Sequence, residues 1–409
     1  MDSWKRTWWV VWSANLLAGI GMMSFLPFFP SLLEELGLEG RAEVALWSGL
    51  IFGAAPLAAT VASPLWGGLG DRYGRKLMVI RALLGIVVFV GAMAFATTPW
   101  QLFLLRLGQG TFSGFVAPSI TLVSVQAPPG RQGRVAGTLQ TALALGAVIG
   151  PLLGGLVGES VGHRAVFGWV AGCAGAAALL VLLLAREDTS TQRRRERGRH
   201  EGPLSLGRAI LGGTLGDIRD AWANRSLRSG IILLFWIQFG LGATNPQLEF
   251  FVRDLRGAGA TGADVSAHYT SLLFTALALA NLIALPKWGK RADRRGHRPT
   301  LFLCASMTAA CLWCHALAPV YAVVVLARLA LGVSTAGAAP SAFGLAAAEI
   351  STDRRGGAFG IVFGARTLAV ALAGPVGGAL LPVLGVRGLF AASGALVVSC
   401  LLLLRPASR

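Results

Sequence analysis

The stretch WGGLGDRYGRK occupies residues 66–76, and a similar stretch, WGKRADRRGHR, occupies residues 288–298. A tryptophan, an aspartate and a glycine stand at the same places in both, 222 residues apart. Each stretch directly follows a long apolar run and carries several Lys or Arg residues. A chain that repeats such a junction is predicted to contain two halves with the same arrangement of helices.

Other features repeat at nearly the same distance. Arg106 matches Arg328, and the pair Gly150-Pro151 recurs as Gly374-Pro375. Apolar runs of about 18 or more residues recur along the chain, and each is long enough to cross about 30 Å of hydrocarbon. We therefore predict an all-α polytopic membrane protein of two six-helix bundles related by pseudo-twofold symmetry. The twelve predicted spans are residues 8–29, 44–66, 77–97, 99–124, 134–157, 164–185, 229–252, 268–289, 299–318, 320–345, 357–381 and 386–405.

Composition excludes several classes of protein. The chain of 409 residues is 54% hydrophobic and only 13% charged, whereas soluble domains carry about 25% charged residues. Its net charge of +17 does not indicate nucleic-acid binding, because the charge lies in short segments between apolar runs. No phosphate-binding loop and no zinc-protease motif is present, so no enzyme and no metal site is expected.

Lys and Arg residues predict the orientation, because they favour cytoplasmic loops. With a cytoplasmic N-terminus, most of the 36 Lys and Arg residues fall in inner segments. The outer loops hold only five of them, Arg41, Arg164, Arg253, Arg256 and Arg387. We therefore expect a multi-pass protein of the cell inner (plasma) membrane with both termini in the cytoplasm. The predicted domains are a bundle at 1–185, a basic cytoplasmic linker at 186–228 and a second bundle at 229–409.

Three motifs carry a resemblance to a known family. The pattern Gly67-x-x-x-Asp71-Arg72-x-Gly74-Arg75-Lys76 resembles the loop 2–3 signature of the major facilitator superfamily, and Asp293 is its counterpart in the second half. Span 4 carries Arg106-x-x-Gln109-Gly110. Span 5 is similar to the antiporter signature of the twelve-helix drug:proton antiporter branch, which includes bacterial multidrug exporters. The matching residues of span 5 are Gly137, Gly146, Gly150, Pro151, Gly154 and Gly155.

The resemblance implies that the loop 2–3 motif is a cytoplasmic gate. Gly67 and Gly74 are expected to allow a tight turn. Asp71 is expected to face the start of span 11, and Arg75 to reach an acid such as Asp353. The alternative is a solvated, positively charged loop.

The glycines of span 5 recur every four residues, which predicts a ridge where another helix comes close. The resemblance implies that this ridge packs against span 8. Ordinary packing of small residues is the alternative. Pro151 is expected to bend the helix.

Charges inside the membrane are costly and therefore indicate functional sites. Arg106 and Gln109 are candidates for proton coupling. Glu249 is a third candidate, with an interfacial carboxylate near Arg253 as the alternative. The stretch Asn245-Pro246-Gln247 beside Glu249 indicates an unwound, polar segment. The remaining candidates are apolar, aromatic or polar residues expected to line a substrate cavity near mid-membrane. They are Asn15, Met22, Phe112, Phe115, Trp236, Gln238, Asn245, Phe274, Phe343, Phe363 and Arg366.

The resemblance predicts proton-coupled efflux of amphipathic drugs or related small molecules by alternating access. Two alternatives remain open: export of a polar metabolite, such as a sugar or an anionic compound, and a membrane sensor that transports nothing. We expect no cofactor, because the proton gradient would supply the energy. The expected partners are a small-molecule substrate, protons and membrane lipids, with no nucleic acid, and the chain is expected to act as a monomer.

Overall fold

The computed structural model describes residues 3–128, 132–187, 216, 218–219, 221–256, 263–350 and 355–404, and these residues form helices and no strand. Hydrocarbon offers no water to backbone amides, so helices, which bond their own backbone groups, are the expected solution. Ten helical runs among the described residues are long and apolar enough to cross a membrane. The predicted all-α fold is confirmed.

The helices have the following bounds. In the first half they are α1 (Ser3–Ser24), α2 (Phe29–Glu35), α3 (Arg41–Tyr73), α4 (Arg75–Met93), α5 (Pro99–Phe112), α6 (Val116–Ser124), α7 (Gln132–Val161) and α8 (His163–Leu184). In the second half they are α9 (Arg225–Thr244), α10 (Leu248–Arg256), α11 (Ala263–Arg295), α12 (His297–Leu317), α13 (Tyr321–Ala336), α14 (Ala338–Glu349) and α15 (Arg355–Leu404).

Four predicted spans are interrupted rather than continuous. Short 3-10 turns, Leu26–Phe28 and Asn245–Gln247, interrupt spans 1 and 7. The second turn confirms the unwound segment that the sequence indicated. Span 4 is divided at Gly114, whose φ of 111° is outside the helical range, and span 10 is divided at Gly337. Such breaks are too short to lower the hydropathy of a span, so apolar patterning alone does not reveal them.

Single glycines join successive helices at matching places in both halves. Gly74 (φ 101°, ψ 150°) joins α3 to α4, and Gly296 (φ 89°, ψ 153°) joins α11 to α12. Gly162 (φ 97°, ψ 157°) joins α7 to α8, and Gly385 (φ 64°, ψ 173°) interrupts α15 between spans 11 and 12. Residues with a Cβ rarely adopt these conformations. The special backbone expected at Gly74 is therefore present. The one expected at Gly67 is wrong, because Gly67 lies inside α3, which continues to Tyr73.

Tertiary contacts divide the chain into two compact units. Unit one comprises Met1–Leu26 and Leu57–Leu211, and unit two comprises Pro27–Pro56 and Gly212–Arg409. In unit one α1 packs against α7 and α8, and α4 packs against α8. In unit two α9 packs against α15, α11 against α13, and α12 against α15. Residues 27–56 thus group with the second half. The predicted domain limits at residues 185 and 229 stay a prediction.

Candidate functional site

The loop 2–3 motif lies on the end of α3, at Gly74 and on the first turn of α4. The Glu187 carboxylate accepts a hydrogen bond from the backbone N–H of Arg75 at 2.7 Å. Lys76 Nζ donates to the carbonyl oxygens of Leu182 and Ala185, at 2.8 Å each. An anion at a helix start and a cation at a helix end both match the helix dipole. These contacts tie the motif to the end of α8.

The predicted gate contacts lie outside the described part of the chain. The side chains of Asp71 and Arg72 are not among the described ones, and neither is Asp353. The pairing of Arg75 with that acid therefore stays a prediction. In the second half, the side chain of Asp293 is exposed near the end of α11.

A tryptophan in each half fixes the motif helix to an interrupted span. Trp66 Nε1 donates to the Thr111 carbonyl oxygen at 2.6 Å, and Trp288 Nε1 donates to the Val333 carbonyl oxygen at 2.7 Å. Each acceptor lies 45 residues after its tryptophan. The sequence repeat thus extends to a side-chain hydrogen bond. The repeat identified both tryptophans, but their backbone acceptors carry no sequence signal.

The glycine ridge of α7 packs against α1. A Cβ on Gly146 would lie 2.7 Å from the Gly19 carbonyl carbon, and one on Gly150 would lie 2.5 Å from the Ile20 carbonyl oxygen. A Cβ on Gly154 would overlap the backbone of Ser24. No side chain fits between the two helices at these three positions.

The atoms nearest to Gly146, Gly150 and Gly154 belong to span 1. The predicted packing of this face against span 8 stays a prediction. The Ser24 hydroxyl, which the sequence analysis did not select, reinforces the contact by donating to the Gly150 carbonyl oxygen at 2.9 Å. Pro151 and Gly155 are buried, whereas a Cβ on Gly137 would have no described heavy atom within 4 Å.

Two proton-coupling candidates meet a cavity candidate in unit one. Arg106 is buried, with 4% of its surface exposed, and donates to Gln109 Oε1 at 2.5 Å. Gln109 Nε2 in turn lies 3.2 Å from the Met22 sulfur. The guanidinium carbon of Arg106 lies 5.2 Å from the Phe25 ring centroid, within cation–π range. The Arg-x-x-Gln spacing therefore places one charge and one amide side by side against α1.

The counterpart of Arg106 has a different partner. Arg328 has no exposed surface, and its Nη1 donates to the Asn245 side-chain oxygen at 3.0 Å. Its Nε and Nη2 have no hydrogen-bond partner among the described residues. The turn at Asn245–Gln247 thus supplies the acceptor that a buried guanidinium requires.

Glu249 is the only buried carboxylate among the described residues, with 1% of its surface exposed. It forms an ion pair with Arg253 at 2.6 Å and accepts a hydrogen bond from the Ser31 hydroxyl. The Ser31 backbone N–H also donates to it, at 3.3 Å. The neighbouring cation that the sequence raised as an alternative is therefore present. The carrier role of Glu249 stays a prediction.

The other cavity candidates are spread over both units. In unit one, Asn15 is buried and its Nδ2 has no hydrogen-bond partner among the described residues. Phe112 stacks on Phe89, with centroids 5.5 Å apart, and Phe115 is buried just before the start of α6.

In unit two, Trp236 meets Phe239 edge to face at 5.2 Å, and Phe343 meets Phe359 at 5.7 Å. Gln238 and Phe274 are partly buried and Phe363 is exposed. Trp236 and Phe343 both pack against one hydrophobic core cluster of the second half, whereas Gln238, Phe274 and Phe363 are not among its members.

Arg366 is an exposed cation within the long apolar helix α15. A charge in that place is costly against lipid, so it points to a polar, water-filled environment. Metal chemistry has no comparable support: within the described ranges, no three His, Cys, Asp or Glu side chains lie together as metal ligands would.

Comparison with known proteins agrees with this architecture. The family model of the Major Facilitator Superfamily matches residues 11–263 and 231–409. The chain is 31% identical over 299 residues to the multidrug resistance protein MdtG of Proteus mirabilis (strain HI4320), which covers 72% of this chain and 69% of that protein. It is also 31% identical over 300 residues to MdtG of Serratia proteamaculans (strain 568), covering 72% and 67%.

Solved structures share the fold at low sequence identity. The human organic anion transporter MFSD10 (TETRAN) superposes with a TM-score of 0.74 at 19% identity, over 99% of this chain and 100% of that one. The nucleoside transporter NupG superposes with a TM-score of 0.76 at 14% identity, over 99% and 98%. Family model, relatives and fold together show that this chain is a membrane transporter of the Major Facilitator Superfamily.

Proposed function

We propose that the chain exports amphipathic, drug-like molecules across the inner membrane by alternating access, driven by the proton gradient and without a bound cofactor. The observation that carries the proposal is its 31% identity to proteins named as multidrug resistance proteins, over 72% of its length. The glycine motif of α7, which resembles that of drug:proton antiporters, supports export rather than uptake.

The packing of unit one supports a rocking cycle. Alternating access by rocking needs bundles that move as rigid bodies. At Gly146, Gly150 and Gly154 the backbones of α1 and α7 meet with no side chain between them, and the hydrogen bond from Ser24 to Gly150 fixes their register. Spans 1 and 5 are therefore expected to move together.

Proton coupling needs a group whose protonation differs between the two access states. Burial favours the neutral form of a carboxyl, and a nearby arginine favours the ionised form. Glu249 combines burial with an arginine partner, so it is our first candidate. Arg106 and Gln109 form the second candidate. Arg106 is a buried cation bonded to the Gln109 amide, and its interaction energy changes when a charge nearby appears or disappears.

A second candidate function is export of an anionic compound. Arg366 supports it, because an exposed guanidinium within an apolar helix is a natural contact for a carboxylate or phosphate. Such a substrate would require Arg366 for binding, whereas a cationic or neutral amphipathic drug would not.

Transport in proteoliposomes with an imposed pH gradient tests both functions. We expect gradient-driven accumulation of cationic amphipathic compounds by the natural protein and a much smaller response from Glu249→Gln, which should still bind the compounds. Arg366→Gln should abolish transport only if the substrate is anionic. A natural protein that ignores the pH gradient would contradict proton coupling, and one that moves no compound in the panel would contradict drug efflux.

A further inference from the structure

Residues 27–56 are bound to the second half by a compact polar cluster, which we call the outer cluster. It comprises Ser31 and Glu34 on α2 and Glu249 and Arg253 on α10. Arg253 donates to Glu34 with both terminal nitrogens, at 2.6 and 3.0 Å, and its Nη2 also donates to Glu249 at 2.6 Å. Ser31 donates to Glu249 through both its hydroxyl and its backbone N–H. Two helices distant in the sequence are thereby joined.

A close backbone seam lies beside the outer cluster. A Cβ on Gly49 would overlap the Gly374 carbonyl, and a Cβ on Gly378 would lie 2.9 Å from Leu46 Cα. Gln247 Nε2 donates to the Ala45 carbonyl oxygen at 3.1 Å. The start of α3 therefore touches α15 with no side chain between them. Apolar side chains of the same segment, including Phe28, Phe29 and Leu33, are buried as well, so apolar packing and the polar bonds of the outer cluster together hold the seam closed.

Only the ionised form of Glu249 satisfies this arrangement. An ionised carboxylate accepts at both oxygens and donates nothing, whereas a protonated one loses an acceptor site and adds a donor. Glu249 faces three donors: the hydroxyl and N–H of Ser31, and the Arg253 guanidinium. A proton on Glu249 would weaken all three contacts, because charge-assisted hydrogen bonds are about twice as strong as neutral ones.

We infer that Glu249 is a proton switch on the outward side of the transporter: ionised, it holds residues 27–56 closed against α10 and α15, and protonated, it lets them open. The outward side follows from the Lys and Arg distribution. The inference rests on the alternating-access cycle proposed above and adds to it a device against idle cycling. An empty carrier that has lost its proton stays shut on the outside, so protons do not leak inward without substrate export.

The other charged groups around the outer cluster make contacts of their own. Arg41 and Asp254 form an ion pair at 2.5 Å, and both are more than 40% exposed, so that pair is expected to contribute little. Arg387, on the second part of α15, donates to the Ala316 carbonyl oxygen at 3.1 Å. His268 on α11 meets Tyr269 edge to face. Glu35, Glu39 and Glu43 on the 27–56 segment are exposed. Glu249 is the buried group among them, so a change in its protonation changes how residues 27–56 pack against α10.

Labelling of a cysteine in the seam measures its opening directly. Ser48 has no exposed surface, its hydroxyl has no described hydrogen-bond partner, and it precedes Gly49, so Ser48→Cys is a nearly isosteric reporter. Glu39→Cys, at an exposed site, serves as the control for the pH dependence of the thiol reaction itself. Both are made in a chain carrying Cys314→Ser, because Cys314 is the exposed native cysteine. The probe is a membrane-impermeant maleimide added to right-side-out vesicles, without substrate or gradient.

The rate at Ser48→Cys is divided by the rate at Glu39→Cys at each pH. We expect this ratio to rise as the outside pH falls from about 7 to about 4, toward the ordinary pKa of a glutamate, about 4.3. Adding Glu249→Gln should raise the ratio about tenfold at the higher pH, as loss of a hydrogen bond to a charged group predicts, and should remove the pH dependence. Adding Asp254→Asn, a matched loss of an exposed charge, should leave both unchanged.

A ratio that is the same at every pH in the chain with natural Glu249 would overturn the inference, and that measurement needs no destabilising variant. A Glu249→Gln chain that keeps the natural ratio and pH dependence would overturn it too. Failure here is distinct from failure of the proposed function. Gradient-driven transport together with a pH-independent seam would contradict only the switch. A pH-dependent seam without gradient-driven transport would contradict only drug:proton antiport.

Discussion

Arg106 and Arg328 hold matching positions in the two halves, yet their surroundings differ. Arg106 has Gln109 one helical turn later, whereas the equivalent position after Arg328 is Leu331, so Arg328 bonds to Asn245 instead. The sequence repeat predicted both buried cations. It did not predict the partner of Arg328, because that partner depends on where the interrupted span 7 places its turn.

Asn245→Ala tests the need of Arg328 for its acceptor. A hydrogen bond to a charged group contributes about 1.5–3 kcal/mol where it is buried, so we expect the variant to unfold at a clearly lower temperature. The measurement is thermal unfolding of the purified protein in detergent. The control is Asn281→Ala, since among the described residues the Asn281 side chain makes a long 3.4 Å contact with the Thr335 hydroxyl. Equal unfolding temperatures for Asn245→Ala and the natural chain would show that Arg328 has another stabilising partner.

Asp71→Asn tests the gate role of the loop 2–3 motif. The substitution keeps the size of the side chain and removes its charge, so membrane insertion should be normal while transport falls strongly. Substrate uptake into inverted vesicles, normalised to protein content, measures the effect. The control is Asp293→Asn, whose side chain is exposed in the second half. Near-normal transport by Asp71→Asn would leave the motif as a determinant of topology only.

At the scale of helices, the spacing of small residues predicted a close contact but not its partner. Glycines every four residues define a face of α7 in any environment, whereas the helix that covers that face depends on the tertiary arrangement. Likewise, the alternation of apolar runs predicted where helices lie. It did not predict that α3 continues through Gly67, because polar residues at a helix end resemble a loop in sequence.

Gly150→Leu tests the backbone contact between α1 and α7. A Cβ at this position already lies 2.5 Å from the Ile20 carbonyl oxygen and 2.8 Å from Met23 Cβ, so a leucine must push the helices apart and transport should be lost. Gly150→Ala should be milder. Gly137→Leu is the matched control within the same motif, because its site is open. Transport by purified protein in liposomes is the measurement, and normal activity of Gly150→Leu would contradict the packing.

At the scale of the whole molecule, the sequence predicted the duplicated architecture because chemically distinctive residues repeat in both halves. Trp66 and Trp288 have the same offset in sequence and make the same hydrogen bond. The sequence did not predict the substrate. Aromatic and methionine side chains pack between helices as often as they line a binding cavity.

Reporter fusions test the predicted orientation. A reporter fused after Arg195 should remain in the cytoplasm, and one fused after Gly257 should be exported, because Lys and Arg concentrate in the segments assigned to the cytoplasm. An enzyme active only in the periplasm and a fluorescent protein active only in the cytoplasm give opposite readings for each site. The reverse pattern would invert the map of inner and outer loops and would place the outer cluster on the cytoplasmic side.

The single glycine between α7 and α8 has a consequence for biosynthesis. Consecutive Cα atoms are about 3.8 Å apart, so one connecting residue keeps the end of α7 and the start of α8 within a few ångströms of each other. A connection this short favours insertion of spans 5 and 6 as a helical hairpin, and Gly385 has the same place between spans 11 and 12.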